Sequence, residues 1–108
     1  MTYLPFIERG HRQDAMEGVQ RLYAFEGTSY GASVIRYVDG PHSSYGARLG
    51  LWELAVIEYS PNFRSQVEQL GTPMFDLVGT PVNPDGVVGW LNDEELQATL
   101  HQIAQLVE

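Results

Sequence analysis

The chain contains no cysteine and no lysine. The first absence removes any disulfide framework, thiolate metal site or cysteine nucleophile. The second removes Schiff-base chemistry, a P-loop lysine and a lysine general base. Long apolar runs are missing too: nothing approaches the roughly eighteen residues that a membrane span needs. Met1–Arg9 lack a basic n-region, a long apolar h-region and a cleavage site, so no secretory signal is expected. The low-hydrophobicity, high-charge signature of disorder is likewise missing. With 108 residues, 44% hydrophobic and 19% charged, the chain suits one core. The expectation is a single domain over 1–108, in the cytoplasm and away from membranes.

What is present is acid. Six arginines face fourteen aspartates and glutamates, for a net charge of −8. Residues 1–64 hold all six arginines and seven acids, a net of −1; residues 65–108 hold the other seven acids with no basic residue, a net of −7. That half repels a phosphate backbone, so direct nucleic-acid binding is disfavoured. It suits docking onto a basic protein surface with fast, salt-sensitive association. Ordinary solubility accounts for the same charge without any partner.

The residue pattern divides into elements. Met1–Gly10 reads as an extended arm or short edge strand. Asp14 with Glu17 forms a capping-box pattern, and Met16, Val19 and Tyr23 follow at helical spacing, predicting a helix over 14–25 despite Gly18. Ala32–Val38 is rich in β-branched and aromatic residues and predicts a strand, stopped by Asp39-Gly40-Pro41. Leu51–Tyr59 is apolar on both faces, which predicts a central strand covered on both sides. Ser60 and Pro61 open a short helix with Phe63, Val67 and Leu70 as its buried stripe. Phe75–Val78 reads as a short strand, Thr80–Gly86 as a turn-rich loop, and Val87–Trp90 as a short strand or a helix lead-in. The C-terminal helix over 92–107 has Asn92 as N-cap, Glu95 completing the box, and Asp93 and Glu94 where the helix dipole favours them. Leu96, Leu100, Ile103 and Val107 form its apolar stripe.

Candidate chemistry is sparse. His11, His42 and His101 are too far apart in sequence to suggest a metal site, and no calcium-loop spacing of acids occurs. No metal or other cofactor is expected. His42 precedes Ser43 and Ser44, but adjacency is not triad geometry. Glu53 and Glu58 fall on opposite faces of one strand, so they cannot act as a carboxylate pair. The segment that most invites binding is Tyr45–Trp52. Its glycines permit close backbone approach, and Arg36, Arg48, Tyr45 and Trp52 could clamp and stack on a small anionic, nucleotide-like ligand. The same residues equally describe a glycine-rich hairpin connection whose aromatics fill the core.

Three runs carry a resemblance: Tyr30–Arg36; Ser44–Gly46 through Gly50–Val56; and Thr80–Val82 through Asp85–Leu91 before an acidic helix start. In this order they resemble small, mostly uncharacterised accessory proteins of bacteriophage and prophage genomes, over roughly residues 30–106. The chain departs by having Ala47 where a second glycine would follow Gly46, and by an insertion around 60–73. The resemblance brings no catalytic residues. It implies a phage accessory product acting in the cytoplasm of a bacterial host, and the lack of lysine fits a GC-rich genome.

Two functions follow as expectations. The leading one is a non-catalytic, acidic interaction protein that inhibits a host defence or nucleic-acid-processing protein through Asp85, Asp93, Glu94 and Glu95. The alternative is an oligomeric binder of a small anion through Arg36, Tyr45, Arg48 and Trp52. A hydrolase using His42 and a minor virion component are weaker readings, and an enzyme is not expected. The fold expected is α+β: an antiparallel sheet of three to five strands with 51–59 central, the C-terminal helix across one face, and an N-terminal helix. Exposed strand edges or the arm could support a homodimer or higher homo-oligomer.

Overall fold

A computed structural model describes residues 2–13, 16–39, 51–82 and 87–106. The chain runs β1 (Ile7–Gln13), β2 (Met16–Ala24), β3 (Tyr30–Asp39), β4 (Trp52–Tyr59), α1 (Phe63–Leu70), β5 (Phe75–Leu77), β6 (Val87–Leu91) and α2 (Asp93–Ala104). The six strands form one sheet in the order β1-β2-β3-β4-β5, with β6 also on β4 and every pairing antiparallel. The α+β architecture matches expectation, with β4 central between β3 on one side and β5 and β6 on the other.

The predicted helix over 14–25 is instead strand β2. Its register runs from Gln13↔Met16 to Ile7↔Leu22 against β1, and β3 pairs along its other side. Met16, Val19 and Tyr23 fit a helical spacing, but the same stretch alternates: Tyr23 is buried on one face of the sheet and Leu22 on the other. Pairing on both sides satisfies the backbone of β2 and overrides its weak local preference. This is also why the sheet has six strands rather than three to five.

One sheet face is sealed by α2. Leu96, Leu100 and Ile103 pack on Tyr23, Ala32, Val34, Trp52, Leu54 and Val56. The capping box forms as expected: the Glu95 backbone N–H donates to Asn92 Oδ1 at 2.7 Å, and the Asn92 N–H donates to Glu95 Oε1 at 3.1 Å. The N-terminal arm is tied to this helix. Tyr3 N–H donates to Gln97 Oε1 at 2.7 Å, Gln97 Nε2 donates back to the Tyr3 carbonyl at 3.1 Å, and Tyr3 OH lies 2.9 Å from His101 Nδ1.

Among the described residues the other face is covered at one end. There Leu22, Ile57 and Tyr59 are buried beneath Phe6 and Phe63, and the Phe63 ring stacks on Tyr59 at 4.4 Å between centroids. The expected buried stripe of α1 does not form: no residue of the helix is fully buried and Leu70 is 66% exposed. Eight residues ending at a left-handed Gly71 are too short to carry the stripe across the sheet. The far half of this face has no helix over it among the described residues, which cover β4 fully on one side and partly on the other.

Gly31 controls the covered end. A Cβ there would meet the Tyr59 ring and the Tyr23 carbonyl. Its absence lets Tyr59 OH donate to that carbonyl at 2.9 Å, and burial pushes the phenol pKa up, which keeps it a donor. Gly31→Ala should therefore cost about 3 kcal/mol through overpacking, and Tyr59→Phe only about 1 kcal/mol for the lost bond. Urea unfolding should show the glycine variant with clearly the lower midpoint; equal midpoints would mean that the Tyr59 ring can move aside.

Candidate binding surface

Trp52 sits at the sheet end beneath the start of α2. It is 1% exposed, and its indole Nε1–H donates to Asp93 Oδ1 at 3.0 Å. The Arg36 guanidinium lies 3.8 Å and that of Arg21 4.4 Å from the ring centroid. Arg21 Nε also donates to Glu8 Oε2 at 2.7 Å. Tyr23 belongs to the same cluster: burial raises its phenol pKa, against the charge and hydrogen bond of Arg21. Of the four residues proposed to hold an anion, the structure joins Arg36 and Trp52, while Tyr45 and Arg48 lie outside the described residues. The joined pair is an internal support. The Trp52 ring is already covered by the protein's own cations, so it offers no surface for a ligand to stack on.

The acidic helix start divides in a similar way. Asp93, Glu94 and Glu95 are all exposed, yet Asp93 holds Trp52 and Glu95 closes the capping box. Glu94 makes neither contact, and Asp85 lies outside the described residues. Of this group Glu94 is the residue without an internal task.

A second feature escaped the sequence reading. Trp52 pairs with Leu91 and Leu54 with Val88, so Gly89 and Trp90 together stand opposite the single residue Glu53. This is a β-bulge, a device that re-aims a strand's side chains. Trp90 has φ 63°, alone among the described non-glycine residues in being positive, and it is 58% exposed. A left-handed conformation costs a side-chain-bearing residue about 1–2 kcal/mol, and an indole this exposed recovers little of that by packing. A glycine beside a tryptophan in a short strand was the available signal.

Beside the bulge, the half of this sheet face that no described residue covers holds a hollow of about 150 Å³ lined by Ser33, Ile35, Glu53, Ala55 and Val87. Its floor is fixed by a relay in which Arg9 Nε donates to Gln20 Oε1 at 2.8 Å and Gln20 Nε2 donates to Ser33 Oγ at 3.0 Å. Glu53 is the one charged group of the lining, and it has no hydrogen-bond or ion-pair partner among the described residues. Burial against apolar neighbours raises its pKa. Glu58, on the opposite face as expected, instead accepts from Ser29 Oγ at 3.2 Å.

Among the described residues no group of three or more histidines, aspartates or glutamates could hold a metal ion, and no helix is long and apolar enough to cross a membrane. The chain matches no family model, no curated protein and no solved structure.

Two outcomes follow for purified protein. Asp93→Ala should lower stability by about 1–2 kcal/mol, because the buried indole N–H loses its acceptor, whereas Glu94→Ala should stay within about 0.5 kcal/mol of wild type; urea unfolding separates them. Glu53 has its pKa raised in the folded state, so the folded protein binds that proton more tightly than the unfolded chain. Stability then falls as pH rises from the ordinary glutamate value of 4.5 through the raised one. Glu53→Gln should melt higher than wild type at neutral pH, with the advantage vanishing below about pH 4.5. A constant difference across that range would place its cause elsewhere.

Proposed function

We propose that the protein acts by binding another protein, without catalysis, through the half of the sheet face that no described residue covers and Trp90 at its edge, and that the partner presents a basic surface. The observation that carries this reading is an exposed tryptophan held at a left-handed φ. Strain at an exposed residue points to a use for that residue, and tryptophan is enriched among the few side chains that dominate protein interfaces. The charge supports the sign of the partner: residues 65–108 hold seven acids and no arginine or lysine, and Glu94 is exposed four residues after Trp90. The resemblance to phage accessory proteins would place the partner among the proteins of a bacterial host, where occupancy of a functional surface amounts to inhibition.

Trp90→Gly separates binding from folding, since glycine tolerates positive φ. The variant should be as stable as wild type or up to about 1 kcal/mol more so. Against a partner captured from host extract, identified and purified, it should lose at least about tenfold in affinity. Glu94→Arg should weaken the same complex and flatten its salt dependence. A partner whose affinity withstands both changes would overturn the reading.

A further inference from the structure

We propose that the hollow beside Trp90 is a subsite for one cationic side chain, arginine or lysine, of the bound partner, with the Glu53 carboxylate as its counter-charge. The proposal rests on the protein-binding reading and specifies the chemistry of its contact.

Three independent features of the hollow agree. Its walls, Ile35, Ala55 and Val87, are apolar and receive the methylene stem of a long cationic side chain, which covers apolar surface while its head stays polar. Among the described residues its one charged group, Glu53, is negative and has no hydrogen-bond or ion-pair partner, and an incoming cation supplies one. The nearest cation on the relay, Arg9, is held one residue away by Gln20. Finally, the bulge leaves the backbone of Gly89 and Trp90 together opposite Glu53, so an exposed indole, which favours a cation over its face, belongs to the residues that flank the hollow. The volume of about 150 Å³ suits one side chain rather than a helix. An anion is excluded by Glu53 itself, and the net charge of −8 concentrates cations near an acidic cleft.

The test uses a defined probe and does not depend on knowing the partner. A capped Gly-Gly-Arg-Gly-Gly peptide, its citrulline analogue and spermidine are titrated into the full chain while backbone amide NMR shifts are followed. The arginine peptide should produce saturable shifts at Ser33, Ile35, Glu53, Ala55 and Val87. It should bring the Glu53 carboxyl titration down toward its ordinary value. Glu53→Gln should weaken the peptide at least tenfold while its spectrum remains that of a folded protein, and Glu53→Asp should restore part of the affinity. The citrulline peptide should not bind. Equal binding of the citrulline peptide, an unchanged affinity in Glu53→Gln, shifts centred elsewhere, or no shift up to about 20 mM peptide would each overturn the subsite. Spermidine binding more tightly than the peptide would overturn a protein side chain as the occupant and make a free polyamine the ligand. The two readings fail separately. Loss of partner affinity in Trp90→Gly without peptide binding removes the subsite alone, whereas peptide binding with full partner affinity in Trp90→Gly removes the protein-binding surface as drawn.

Discussion

The hydrogen bond from the buried Trp52 indole to Asp93 fixes the relation between sheet and helix on which the remaining structure depends. A buried N–H must find an acceptor, and this one finds it in the first turn of α2. Two residues earlier in the chain, Leu91 is paired with Trp52 itself. The end of β6, the Asn92 cap and the start of α2 are therefore pinned to one point on β4. Val88 is held to Leu54 by its own pairing and by packing against the core beneath α2. Between those two anchors β6 has one residue more than β4, and the excess appears as the bulge at Gly89 and Trp90. The strained, exposed tryptophan is in this sense a consequence of how the core is locked on the opposite face.

Arginines of the described residues have tasks inside the fold. Arg21 and Arg36 lie over Trp52, with Arg21 also paired to Glu8. Arg9 binds Gln20 and reaches Thr72 at 3.4 Å, and Arg64 lies 4.9 Å from the Phe63 ring centroid. These cations support aromatic rings, strand pairs and the end of α1. Glu26, Glu58, Glu68, Asp76 and Glu94 are exposed. Exposed pairs would have contributed little to stability in any case. The net charge of −8 leaves a long-range negative field, which acts on encounter with other molecules more than on folding.

Legibility in the sequence follows the range of the interactions that decide each element. Helix α2 was readable because its cap, first-turn acids and the Leu96, Leu100 and Ile103 stripe are local; it ends at Ala104 rather than at 107, and Val107 of the expected stripe lies outside the described residues. Strands β3 and β4 were readable from β-branched and aromatic content. Strand β2 was misread because Met16, Val19 and Tyr23 satisfy a helical period as well as a strand's, and only its neighbours on both sides decide the matter. The stripe of α1 was correctly spaced, but whether it is buried depends on how far the helix reaches over the sheet. At the site, Arg36 and Trp52 did come together, for an internal purpose: an arginine stacked on a tryptophan looks the same in sequence whether it awaits a ligand or holds a core. Trp90 and Glu53 were not legible as a pair, since their juxtaposition comes from a register mismatch between distant strands.

The free chain carries two unfavourable features on one patch: a left-handed tryptophan and a half-buried carboxylate without a partner. Elsewhere among the described residues, the buried side-chain polar atom without a hydrogen bond is Thr80 Oγ1. Folding alone would favour glycine at position 90 and a neutral residue at position 53. Natural sequences depart from locally favoured choices mainly at functional sites. A bound cation would offset the desolvation of Glu53 and give the Trp90 ring a contact, so both features weigh less in a complex than in the free protein. Affinity gained in this way depends on the sign of the partner's charge, because an acidic or neutral surface leaves the Glu53 carboxylate more deeply buried and still unpaired. On the proposed binding reading, that repulsive element would discriminate between partners alongside any attraction.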